Sequence, residues 1–187
     1  GLGDVYKRQP VSLRASLDAM PAVKQRPLVL VVPGGGYNHV SPREGDPVAL
    51  QFAAAGYHTA VLTYSVGEGA QNYRPLRQLN EALALLRQNA GEWHILPDKI
   101  AVCGFSAGGH LALSGAVLDI PGETAQQRPN AVILGYPVIT AGEFAHRGSF
   151  VQLAGSEDAA AQQAFTLEDK VTSDTPCLLY TSPSPRD

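Results

Sequence analysis

The chain is poor in the residues that build cross-linked or metal-bound scaffolds: of 187 residues, two are Cys, one is Met and one is Trp. Cys103 lies inside an apolar run and Cys177 near the end. Two such cysteines give neither a disulfide framework nor metal-ligand spacing, and Cys103 reads as a buried thiol. No apolar run is long enough to span a bilayer. Charged residues make up only 17%, with a net charge of -3, so neither nucleic acid nor a membrane surface is indicated as a partner. The chain holds five histidines. Of these only His110 and His146 follow the serine on which the chemistry below turns.

The two ends read differently from what lies between them. Residues 1–9, "GLGDVYKRQ", can be encoded by a DNA string whose reverse complement, read one base in, gives "CLLYTSPSP", the sequence of residues 177–185. The ends of a natural protein have no reason to encode one another, and both strings resemble the translated end of a transposase-based sequencing adapter. Residues 1–9 and 177–187 are therefore expected to be adapter-derived scars, with one partial domain at 10–176 between them. Without the scars the net charge is -4, so the acidic balance stands. A signal peptide would precede Pro10, so the compartment stays open, with the cytoplasm as the default expectation.

The interior alternates short apolar runs with helical stretches. "LVLVV" at 28–32, closed by Pro33 and three glycines, has the pattern of a strand buried on both faces. A helix is expected at 46–55, stopped by Gly56, and a second strand at 58–65. Leu76, Leu79, Leu83 and Leu86 follow Pro75 at helical spacing, a stripe that reads as core packing. A third strand at 99–105, a helix from 107 to about 118 and a strand at 131–137 complete the regular part. After Pro137 only a short helix at 157–165 is predicted, and "SDTP" at 173–176 reads as the approach to a further strand, which the apolar "CLLYT" could imitate. Alternation of this kind implies parallel pairing through right-handed crossovers, hence an α/β sheet with helices on both faces. Ligands collect at the carboxyl ends of such strands, where both glycine-rich stretches fall.

In "GFSAGG" the serine, Ser106, sits between a strand and a helix with Gly104 and Gly108 two positions to either side. That is the nucleophile-elbow pattern, in which neighbours without side chains permit a sharp turn. The backbone amide of Ala107, at the start of the helix, can then stabilise negative charge on a carbonyl oxygen. The second half of such an oxyanion hole is expected from Gly35 and Gly36 of "PGGGY". A phosphate loop is the rival reading there, disfavoured because no Lys-Ser/Thr pair follows. Tyr37 and His39 in the same loop are candidates for the substrate pocket, with simple packing an equal reading for Tyr37. Glu44 and Asp46 are expected to cap or precede the helix at 46–55. His58 and His94 take boundary positions, and His110, one helical turn after the serine, a packing or polar-contact role.

The stretches "VVPGGGY", "GYHTAVLTYS", "LPDKIAVCGFSAGGHLA" and "GYPVIT" with "GEFAHRGS" together resemble the α/β-hydrolase superfamily, in its acetyl esterase or xylan-esterase-like branch of carbohydrate esterases. Where relatives of hormone-sensitive lipase carry a histidine before the glycines, this chain has Pro33, as that branch does. The resemblance covers most of residues 27–176. It implies an α/β-hydrolase fold truncated at both ends, without the first strands of the usual sheet. It also implies a carboxylesterase that works through an acyl-enzyme on Ser106, on acetyl or other small-acyl esters of carbohydrates, with no metal or organic cofactor. In the family order Ser, Asp, His, the acid and base come late. Here Asp158, Asp169 and Asp174 precede no histidine, and a set of Asp119, Ser106 and His146 is disfavoured. The resemblance thus implies that the base and its carboxylate are missing from this chain and that it is catalytically impaired. Readings left open are a peptidase or arylformamidase of the same fold and a non-catalytic pseudoenzyme that only binds.

Overall fold

Strand β2 (Arg26–Val32) shows why this sheet forms as it does. Leu28, Leu30 and Val32 point to one face and Val29 and Val31 to the other, and all five are at most 3% exposed. With a side-chain period of two, a strand buried on both faces must be apolar throughout. Around it the computed structural model, which describes residues 12–16, 24–143 and 145–181, builds a six-stranded sheet. The other strands are β1 (Ser12–Ser16), β3 (His58–Thr63), β4 (Ile95–Phe105), β5 (Ala131–Gly135) and β6 (Cys177–Thr181). Their order across the sheet is β1-β3-β2-β4-β5-β6. All pairings are parallel except that of β1 with β3. The central strands β2 and β4 are thus the ones whose carboxyl ends carry the two glycine stretches.

Five α-helices connect or flank the strands: α1 (Asp46–Ala54), α2 (Arg74–Gln88), α3 (Ala107–Val117), α4 (Arg147–Ala154) and α5 (Ala159–Gln163). In α2, Leu76, Leu79, Leu83 and Leu86 are buried as their spacing predicts, with Pro75 in the first turn. Helix α3 is apolar on every side, because it lies between the sheet and α2. The approach is close: a Cβ on Gly115 would come within 2.6 Å of Leu79. These two helices, with α4, cover the larger core on one face, while α1 covers Val29, Val31, Val61 and Cys103 on the other.

Three elements depart from the sequence expectations. An antiparallel strand, β1, does precede β2, pairing Ser12 with Thr63 and Ser16 with Thr59. Helix α4 stands where loop was expected, and it buries Ser149, Phe150 and Leu153. The predicted helix at 157–165 shortens to α5, whose start is capped by Asp158 accepting from the Ala160 amide. Strand β6 does form from "CLLYT" beside β5, and Cys177, Leu178, Leu179 and Tyr180 in it are all exposed.

Candidate active site

Ser106 is the single residue between β4 and α3, and its backbone takes φ 51° and ψ −121°. For a residue with a side chain, that region costs on the order of 1–3 kcal/mol and persists only where the surroundings over-determine it. They do so here through both backbone groups. The Ser106 amide donates to Gly135 O at 3.1 Å, and its carbonyl accepts from Val138 N at 3.0 Å and His110 N at 3.1 Å. The flanking glycines leave the room the turn needs. A Cβ on Gly104 would lie 2.2 Å from the carbonyl oxygen of Gly108, and one on Gly108 only 2.1 Å from that of Val32. The amide of Ala107, first in α3, has no hydrogen-bond partner among the described residues and carries the positive end of the helix dipole.

Across from the elbow runs the loop after β2. Gly35 and Gly36 have φ of 129° and 64°, and a Cβ on Gly35 would stand 2.1 Å from the carbonyl oxygen of His39. The loop is fastened at several points: Tyr64 OH donates to Pro33 O (2.6 Å), Ser41 N to Gly34 O (2.9 Å) and Gly67 N to Tyr37 O (2.7 Å). Among the described residues the amides of Gly35 and Gly36 have no partner, whereas that of Gly34 donates to Glu44 Oε2 at 2.7 Å. The two glycines that the sequence pointed to are thus among the free donors of this loop and line the same cavity as Ser106.

Tyr37 has a different place from the pocket wall expected of it. Its ring is 1% exposed, and its OH meets His110 Nδ1 at 2.8 Å. The other ring nitrogen of His110, Nε2, lies 2.7 Å from the carbonyl oxygen of Phe165, which can only accept. Nε2 therefore carries the proton, Nδ1 accepts, and the Tyr37 hydroxyl donates to it. Burial pushes His110 down to about 4, against the smaller opposing effect of its bond to Phe165. Burial likewise holds the Tyr37 phenol well above its ordinary range, with Tyr64 adding to it. The buried trio ties the glycine loop to α3 and to the segment after α5.

Ser106, Gly35, Gly36 and His39 line one cavity of about 580 Å³. Asn38, Ser41 and Glu44 share its wall, and His146, Gly148 and Gln152 close the far side. Apart from Glu44 and the glycines, these residues present hydroxyl, amide and imidazole groups that can hydrogen-bond. His146 Nδ1 is engaged by Ser149 Oγ at 2.9 Å, and Asp119 pairs with Arg128 instead of with any histidine. The set of Asp119, Ser106 and His146 is therefore not assembled. The His58 ring nitrogen Nε2 bonds the His94 backbone carbonyl, at the first residue of β3 and the turn just before β4, at the opposite end of the strands from the cavity. Among the described residues no group of His, Cys, Asp and Glu is gathered in a way that could hold a metal ion.

Glu44, Asn38, Ser41, His146 and Gln152 were not singled out for this cavity by sequence. Glu44 was expected to cap or precede the helix at 46–55, and it does precede α1. From there it also reaches back to Gly34 and across to Tyr136, whose OH donates to Oε1 at 2.9 Å. Asn38, His39 and Ser41, three short polar residues directly after the glycine turn, are a signal that could have marked the loop as pocket-lining.

A mostly parallel sheet with a strained serine after its central strand defines the α/β-hydrolase class, and solved structures agree. The acetyl ester-xyloside bifunctional hydrolase from Caldicellulosiruptor lactoaceticus superposes with a TM-score of 0.80 at 34% identity, covering 95% of this chain and 67% of that one. The BD-FAE family model matches residues 18–179, and the chain belongs to that family. Endo-1,4-beta-xylanase B of Butyrivibrio fibrisolvens is 34% identical over 173 residues, 83% of this chain. Acetylxylan esterase of Xylanibacter ruminicola is 33% identical over 131 residues, 69% of this chain. The chain spans about a quarter, 26%, of each of these two proteins. Esterases of the α/β-hydrolase type are thus its relatives, and no helix among the described residues is long and apolar enough to cross a membrane.

Proposed function

We propose that Ser106 is the nucleophile of a carboxylesterase that removes acetyl or similarly small acyl groups from carbohydrate esters. Its hydroxyl oxygen attacks the ester carbonyl carbon and yields its proton to a base. The amides of Gly35 or Gly36 and Ala107 hold the resulting oxyanion, the sugar alcohol leaves with a proton, and water then releases the acid. The observation that carries this reading is the meeting in one cavity of a strained, glycine-flanked Ser106 with Gly35 and Gly36, whose amides are unpartnered among the described residues, the unpartnered amide of Ala107 following directly after the serine. The names of the acetylxylan esterase and the acetyl ester-xyloside hydrolase support the substrate class, as does a cavity wall rich in side chains that can hydrogen-bond.

The base and its carboxylate lie outside residues 10–176. In support, no ring nitrogen of the described residues bonds Ser106, and none of the histidines has a carboxylate partner. A fluorophosphonate probe tests both parts. The 187-residue chain should label slowly at Ser106 and accelerate when imidazole is added as an external base, while Ser106→Ala stays silent. Labelling elsewhere, or none with imidazole, refutes the nucleophile. Fast labelling without imidazole that His146→Ala abolishes would return the base to this chain.

A further inference from the structure

The Glu44 carboxylate is the one acidic group on the wall that Ser106 shares, and its position is specified from two sides. Oε2 accepts from the Gly34 amide at 2.7 Å and Oε1 from the Tyr136 hydroxyl at 2.9 Å. These donors belong to the two segments that flank the elbow: the glycine loop after β2 and the turn after β5. Gly34 rests directly on the elbow. A Cβ there would lie 2.7 Å from the carbonyl oxygen of Phe105, 2.9 Å from Ser106 Cβ and 2.8 Å from Glu44 Oε2. Carboxylate and nucleophile therefore border the same point in space. Tyr136 is bound into the elbow as well: it follows Gly135, whose carbonyl takes the Ser106 amide, and precedes the Pro137 that packs on Gly109. Partial burial and then the Glu44 carboxylate hold its phenol up to about 12, so it stays a donor across the working range.

We propose that Glu44 is a positioning residue that braces the oxyanion loop against the elbow, setting the distance from the Gly35 and Gly36 amides to Ser106; this rests on the hydrolase reading above. The brace explains a feature of the glycine run that its composition does not. Of three consecutive amides, the first is committed to a carboxylate and so cannot serve the oxyanion, leaving Gly35 and Gly36. A bare carboxylate beside an oxyanion would oppose it, and the two donors are what offset that repulsion. Residue 44 needs two acceptor or donor atoms at fixed reach, so Gln can replace Glu: its oxygen accepts from Gly34 and its amide donates to the Tyr136 oxygen. Ala cannot.

The test measures imidazole-assisted phosphonylation of Ser106 in the 187-residue chain, resolved into a saturating rate and a half-saturation concentration, together with the Gly34 amide resonance in ¹H–¹⁵N spectra. Glu44→Ala should lower the saturating rate on the order of 10- to 100-fold, the scale of a small misplacement of catalytic groups. It should also shift the Gly34 amide proton upfield, with the folded fraction corrected by circular dichroism. Glu44→Gln should recover the rate to within about threefold and leave the amide near its original position. An Ala variant as fast as the parent, a Gln variant as slow as Ala, or a Gly34 amide indifferent to Glu44→Ala overturns the brace. If Ser106 labels in no variant, the hydrolase reading falls instead, and the Gly34 resonance alone decides whether Glu44 holds the loop.

Discussion

Acidification should unfold this protein through a single buried ring. Between its ordinary value of 6.5 and the value of about 4 that burial imposes, His110 is protonated in the unfolded chain and neutral in the folded one. The unfolded state then binds more protons, so stability rises with pH in that window and is lost as pH falls through it. The displacement corresponds to about 3 kcal/mol by pH 4, a large part of a typical domain's margin. Protonation also gives Nδ1 a hydrogen, so the Tyr37 hydroxyl must turn from donor to acceptor and its own buried proton loses its partner. The assay is urea unfolding at pH 7, 6, 5 and 4, followed by tryptophan fluorescence, for the parent chain and His110→Gln. Gln keeps a donor towards the Phe165 carbonyl but does not titrate, so it costs stability at neutral pH. The gap between the two proteins should close by about 3 kcal/mol on the way to pH 4. Parallel pH profiles would show that the ring does not enter the folded state neutral, and the reasoning would fail.

Other outcomes follow from the elbow and the two thiols. Gly108→Ala places a methyl 2.1 Å from the Val32 carbonyl oxygen and should cost about 3 kcal/mol or more in urea unfolding; a loss below about 1 kcal/mol would mean that α3 can slide. Ser106→Gly removes the nucleophile while relieving the φ of 51°, and should raise stability by about 1 kcal/mol over Ser106→Ala; an equal or lower midpoint would deny that the turn is strained. Burial pushes the Cys103 thiol up to about 11, and it is 1% exposed, whereas Cys177 is exposed. Iodoacetamide at pH 8 should therefore add one label, on Cys177, to the native chain and two in urea, as read by mass spectrometry; rapid labelling of Cys103 in the native chain would contradict its place under α1.

The parts of this fold that could be read from sequence are those where one local period dictates burial. Leu76, Leu79, Leu83 and Leu86 commit α2 without help from elsewhere, and Leu28 to Val32 commit β2. Helix α4 escaped because "RGSFVQLA" is short, contains Gly148 and has no side-chain cap, so its formation depends on Phe150 and Leu153 finding the core. Strand β1 escaped because five residues of "SLRAS" carry too little apolar pattern to be separated from loop. The site divides in the same way. Ser106, Gly104 and Gly108 announce themselves, since the turn's steric demand falls within five residues of chain. Glu44 does not, because its partners lie 10 and 92 residues away and only the sheet brings them together. Tyr37 misleads for a related reason: a tyrosine after a glycine turn looks exposed until α3 supplies His110.

Strand β6 is attached to β5 through its backbone, with the side chains of Cys177, Leu178, Leu179 and Tyr180 exposed. A seat occupied with so little side-chain burial is held chiefly by main-chain pairing, with the Thr181 hydroxyl adding a bond to the Leu134 carbonyl. Strand β6 is the outermost strand of the sheet beside β5, and an extended segment of a neighbouring chain could compete for its place or pair with its open edge. At high concentration such molecules would exchange or share their last strands and grow edge to edge, so handling of this protein should be governed by that edge before the active site is ever assayed.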